Sequence, residues 1–168
     1  MATRYILTKE DPTLYKISRP VKSFDARLHQ LLDDMAETLQ LSGGVGLAAP
    51  QVGVLRRAVL VLDVNVPEGE EEKLIELINP EIIASSGEQR GPEGCLSFPE
   101  EYGIVTRPME VTVRAQDRNG ESFTVTGTGL TARCFCHEID HLDGHVFTTL
   151  CERMLTQEEL ESGKLAEE

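Results

Sequence analysis

His137 and His141 lie four residues apart, with Glu138 directly after the first, inside a run from Leu130 to Leu142 whose apolar spacing predicts a helix. Residues four apart share one helical face, so both imidazoles can reach a single divalent ion while the Glu138 carboxylate projects beside it. Such an ion lowers the pKa of bound water toward about 7, and a neighbouring carboxylate can take that proton and return it to a leaving amine. The pentapeptide therefore constrains the fold: a buried-faced helix must meet a further donor, because a catalytic ion ordinarily has three protein ligands and one open position.

The remaining donors are Cys95, Cys134, Cys136, His145 and a distant Asp or Glu. Cys136 points off the His137–His141 face, and Cys134 lies a turn earlier on it, where a thiol can line a pocket without reaching the ion. Cys134, Cys136 and Cys151 read as core fillers. Cys95 is the better third ligand, because Gly91-Pro92-Glu93-Gly94-Cys95-Leu96-Ser97-Phe98-Pro99 is a turn-rich segment able to expose a side chain and backbone amides together. One thiolate and two imidazoles suit Zn²⁺ and are compatible with Fe²⁺ or Ni²⁺. A third segment, Gly43 to Gln51, combines glycines that let a backbone approach a ligand with an amide donor at Gln51. It is neither a Walker loop nor a nucleotide-binding fingerprint, and a helix cap followed by a tight loop explains it equally well.

Around these motifs the chain reads as one domain, residues 1–168. Leu28, Leu31, Leu32, Met35 and Leu39 mark an amphipathic helix of about 16 residues, with Ser23 as its N-cap and Ser42-Gly43-Gly44 closing it. Ala58 to Val64, Leu74 to Ile78 and Ile82 to Ser86 read as strands. Val111 to Gln116 and Ser122 to Thr126 form a hairpin across Asn119-Gly120, and Thr156 to Lys164 a short acidic helix. With 29 acidic against 16 basic residues the net charge is -13, which argues against broad binding to DNA or to an anionic membrane. No stretch approaches the roughly 20 apolar residues that span a bilayer, and Met1 to Asp11 lacks a signal peptide's apolar core, so a cytoplasmic location is expected.

Gly44 to Gln51, Glu93 to Ser97 and His137 to His141 follow the order of the GxGLAAxQ, EGCLS and HExDH stretches of the peptide deformylase family, which this chain resembles from about Tyr5 to Leu150. The resemblance implies an enzyme that removes the formyl group from the initiator methionine of new polypeptides, acting on N-formylmethionyl nascent peptides with transient contact to the ribosome. It implies Cys95, His137 and His141 as metal ligands and Glu138 as general acid and base. Gln51 and the backbone N–H of Leu96 would stabilise the oxyanion, Gly46 would pair with the substrate main chain, and Val45, Phe98 and Cys134 would shape the methionine pocket. The implied ion is Fe²⁺, with Zn²⁺, Ni²⁺ or Co²⁺ as substitutes. The implied fold is α+β, with antiparallel β-sheets around the central motif helix, an N-terminal helix and a short C-terminal one.

Two features depart from some relatives. The tail after Leu150 is acidic where some members carry a basic ribosome-binding helix, and Tyr102 stands where some carry a basic residue near the substrate backbone. The alternative is a zincin-type metallopeptidase, whose third ligand would come from downstream, where His145 and several acidic residues lie. A binding protein with a structural metal would need a fourth protein ligand.

Overall fold

Alternation along the strands decides the layering. In the computed structural model, which describes residues 2–165, strand β2 (Ala58–Asp63) sends Ala58 and Leu60 to one side and Val59 and Val61 to the other. All four are fully buried, because successive residues of a strand face opposite ways and a helix covers each face. Helix α1 (Ala26–Ser42) lays Leu28, Leu31, Leu32, Met35 and Leu39 against the first face, and α2 (Leu130–Leu142) lays Ala132, Phe135, Ile139 and Leu142 against the second. The result is a helix–sheet–helix sandwich with α2 in the middle of the protein.

The central sheet is antiparallel throughout, in the order β1-β2-β3-β6-β7, with β1 (Gly46–Ala48), β3 (Lys73–Ser86), β6 (Glu110–Gln116) and β7 (Ser122–Thr128) completing it. A separate two-stranded sheet, β4 (Gln89–Cys95) with β5 (Phe98–Arg107), supplies the rest of the wall around α2. Short helices α3 (Phe147–Leu150) and α4 (Gln157–Ser162) follow. This is the expected α+β arrangement of antiparallel sheets about the motif helix. Among the described residues no helix is long and apolar enough to cross a membrane.

Several local expectations are corrected. The N-cap of α1 is Asp25, whose side chain accepts from Leu28 N, and not Ser23; its carboxylate also complements the positive end of the helix. The two strands expected over Leu74–Ile78 and Ile82–Ser86 are one, interrupted by register shifts between Ile78 and Glu81 and between Ile82 and Ala84. Asn79 takes a positive φ of 50° there, and Pro80, with no N–H to give, sits at the irregularity. The turn-rich segment around Cys95 is largely strand: only Leu96 and Ser97 turn, and Pro92 pairs opposite Ile104. In a two-stranded sheet both strands are edges, so proline and glycine are tolerated where a central strand would refuse them. The terminal helix is shorter than expected, starting after its Thr156 cap and ending at Gly163.

Candidate metal centre and its cleft

Cys95 ends β4 at a register shift, and His137 and His141 come from adjacent turns of α2. One donor atom from each lies within 4.8 Å of the others, and Cys95 Sγ is 3.3 Å from His141 Nε2. A tetrahedral ion at the usual Zn–S and Zn–N distances holds sulfur and nitrogen roughly 3.6 Å apart, so the donors fit a cation of that kind. Among the described residues this is the one such group; His145 is exposed and outside it. That removes the downstream third ligand which a zincin-type site would need.

The ring of His137 is oriented from behind. Its Nδ1 donates to Glu93 Oε2 at 2.8 Å, and Glu93 is itself held by Arg107 (Nε 3.0 Å, Nη2 2.7 Å) and Arg133 (Nη1 3.0 Å). Arg107 reaches on to Asp140 Oδ2 at 2.7 Å. Burial pushes the Glu93 carboxyl up, but hydrogen bonds and charge from His137 and Arg107 outweigh it and bring its pKa down to about 2. A carboxylate that stays ionised can only accept, so Nδ1 carries the proton and Nε2 is left to face Cys95 and His141. Sequence reasoning missed this cluster. Its one signal was Glu93, two residues before Cys95 in the EGCLS stretch.

Burial disfavours charge on both imidazoles. At His137 the nearby Glu138, Cys95 and Glu93 reverse the effect and raise its pKa, whereas at His141 burial and the neighbouring His137 lower it. His141 is thus a neutral ligand-ready ring, and the carboxylates that draw a proton to His137 would serve a metal cation equally.

Glu138 is 4% exposed, and burial lifts its carboxyl to about 7. Its Oε1 has no hydrogen-bond partner among the described residues. A carboxyl poised near neutral pH can both accept and return a proton. Its neighbours leave no slack: a Cβ on Gly46 would meet Glu138 Oε2 at 2.5 Å and Cys134 Sγ at 2.6 Å. The backbone at Gly46, on the outer strand of the central sheet, therefore passes directly beside the carboxylate.

Gln51, fully buried, is turned by its own backbone: Oε1 accepts from Ala48 N at 2.9 Å, which leaves Nε2 to reach Ser97 Oγ at 3.0 Å and Cys95 Sγ at 3.4 Å. A cleft of about 580 Å³ gathers Val45, Gly46, Gln51, Cys95, Leu96, Phe98, Cys134, His137 and Glu138 on its walls, with Tyr102 and Leu130 also lining it. His141 lies fully buried behind them. Every site residue expected from sequence is thus brought to one place. Cys136 packs in the core, where burial raises its thiol to about 11, and Cys151 stands apart from the donor group.

Residues 3–156 match the family model described as polypeptide deformylase. The chain is 51% identical over 164 residues to the peptide deformylase of Caldanaerobacter subterraneus subsp. tengcongensis, covering 98% of this chain and 99% of that one. Among solved structures, a peptide deformylase from Legionella pneumophila superposes with a TM-score of 0.81 at 43% identity, covering 96% of this chain and 90% of its own. A Met-Ala-Ser-bound class I type b peptide deformylase from Acinetobacter baumannii does so with 0.81 at 34% identity, over 88% and 98%.

Proposed function

The chain belongs to the polypeptide deformylase family, and from that premise we propose how its own residues divide the work of removing the N-formyl group from new polypeptides. The observation that carries the reading is that three donor atoms lie within 4.8 Å of one another, two of their residues, Cys95 and His137, lining a cleft with a buried carboxylate, Glu138, whose Oε1 has no hydrogen-bond partner among the described residues.

Cys95, His137 and His141 would hold one divalent ion, which would supply Lewis acidity to the reaction when bound. Glu138 accepts the proton of the attacking water and returns it to the methionine nitrogen as the C–N bond breaks, a double task suited to a carboxyl near 7. Gln51 Nε2 and Leu96 N–H donate to the carbonyl oxygen as it gains charge, which stabilises the transition state more than the ground state. Gly46 offers backbone groups of the outermost strand β1 to the substrate chain, in the manner of strand addition. Val45, Phe98 and Cys134 surround the methionine side chain.

The ion is Fe²⁺ in the cell, with Zn²⁺, Ni²⁺ or Co²⁺ able to replace it at a thiolate–imidazole site. The protein works as one catalytic domain in the cytoplasm, meeting N-formylmethionyl chains as they leave the ribosome and touching the ribosome only transiently, since its acidic tail offers little attraction to RNA. The test is anaerobic purification, metal analysis and assay on formyl-Met-Ala-Ser beside a peptide with only internal amide bonds. Formate release without internal cleavage is expected; internal cleavage would return the metallopeptidase reading.

A further inference from the structure

Ser97 is fully buried in the turn between β4 and β5, and its hydroxyl accepts a hydrogen bond from Gln51 Nε2 at 3.0 Å. A hydroxyl taken out of water needs a partner, and Gln51 is the partner that Ser97 has here. The two residues come from different parts of the fold. Gln51 sits in the 3-10 turn Ala49–Val52 that follows β1 in the central sheet, whereas Ser97 follows Leu96 at the tip of the separate hairpin.

The Gln51 amide is therefore pinned at both ends. Ala48 N–H holds Oε1, which determines the orientation of the group, and Ser97 takes one of the two hydrogens on Nε2. The other is left for the cleft, where Cys95 Sγ lies 3.4 Å away. Because Ser97 is the next residue after Leu96, the same bond ties the Gln51 donor to the turn that carries the Leu96 N–H.

We propose that Ser97 is a positioning residue: its bond to Gln51 sets the spacing between two oxyanion donors that belong to separate segments of the chain, before substrate arrives. The inference rests on the reading of Gln51 and Leu96 as that donor pair. Donors already in place need no reorganisation at the moment of reaction, and this is the source of their effect. With the hydroxyl gone, the Ala48 bond at Oε1 is left to hold the planar amide largely from one end, so the whole group is less tightly fixed and the loss falls on the transition state and spares substrate binding.

A double-mutant cycle on the Zn²⁺-loaded enzyme tests this, with Ser97→Ala, Gln51→Ala and the pair assayed on formyl-Met-Ala-Ser. Ser97→Ala nearly preserves side-chain volume and is expected to lower kcat about ten-fold at unchanged KM and zinc content. Gln51→Ala is expected to lower kcat by about 10²–10³, and the double variant to be no slower than Gln51→Ala. In the nitrogen-15 spectrum of Ser97→Ala the Gln51 side-chain NH₂ should move and exchange faster with water. If Ser97→Ala costs the same factor with Gln51 absent as with it present, the hydroxyl does not act through Gln51 and the proposal is overturned. Full kcat in Gln51→Ala would instead remove the donor reading itself, and the anchor with it.

Discussion

Glu93 Oε2 accepts a hydrogen bond from His137 Nδ1 at 2.8 Å, across 44 residues of sequence, and so determines which nitrogen of that ring faces Cys95 and His141. The same carboxylate receives three bonds from Arg107 and Arg133, so the hairpin that carries Cys95 and the helix that carries both histidines are joined through one side chain.

Glu93→Gln should weaken both jobs. A neutral amide cannot balance two buried guanidinium groups, and removing one partner of a buried ion pair costs about 3–5 kcal/mol. Loss of the partner that orients a ligand histidine typically lowers metal affinity about 10–100-fold. Competition for Zn²⁺ against a chelator, with thermal unfolding of the zinc-free protein, measures the two effects separately. Unchanged zinc affinity would mean that something else orients His137.

Glu138→Ala and Cys95→Ala should fail in different ways. The first is expected to keep the ion and lose about 10²–10⁴ in turnover, the usual contribution of a positioned acid–base group. The second should lose the ion. Zinc at 1,000 times its dissociation constant stabilises a folded site by about 4 kcal/mol, so its effect on the melting temperature should vanish in Cys95→Ala and persist in Glu138→Ala. Normal metal content in Cys95→Ala would show that the ligand set is wrong.

Gly46→Ala should damage activity through contact rather than backbone strain, since Gly46 is not among the positive-φ glycines. The added methyl would need the space now held by Glu138 Oε2 and Cys134 Sγ, 2.5 and 2.6 Å away. Overpacking of this kind costs about 1–3 kcal/mol. A double variant, Gly46→Ala with Cys134→Ala, relieves one of the two clashes and should recover part of the lost stability in urea unfolding. No recovery would place the conflict elsewhere.

Asp34 should govern part of the acid limb of the stability curve. It is 5% exposed on α1, and hydrogen bonds from Ala2 N, Gln30 and Arg4 lower its pKa in the folded protein. The unfolded chain then binds the proton more tightly, so this carboxylate stabilises the fold fully above its unfolded pKa of about 4. That contribution is lost as pH falls through the lowered folded value. Asp34→Asn should be less stable than the parent in urea at pH 7, and the gap should narrow steadily as the pH is taken from 5 toward 2. A gap that stays constant over that range would exclude Asp34 as a titrating contributor.

Legibility in the sequence followed the range of the interactions. Helix α2 runs over Leu130–Leu142 as its spacing predicts, and the Asn119-Gly120 turn joins β6 and β7, because a helical face and a tight turn are set by residues a few positions apart. The sheet β4–β5 escaped notice, since Gly91, Pro92 and Gly94 carry turn signals that only a two-stranded ribbon overrides. Ser23 was expected to cap α1, but the helix begins at Ala26, which makes Asp25 the cap.

What the sequence determined by itself is the inventory: two imidazoles and a carboxylate on one helical face, a thiol in a segment rich in glycine and proline, and a glycine-rich stretch ending in an amide. Those are properties of local geometry, carried by neighbours along the chain. Tertiary structure alone decided that Glu93 stands behind His137, that Ser97 meets Gln51 across 46 residues, and that Gly46 leaves no room beside Glu138. Such distances depend on sheet register and on how the layers pack, quantities summed over many weak contacts that no single stretch of residues encodes.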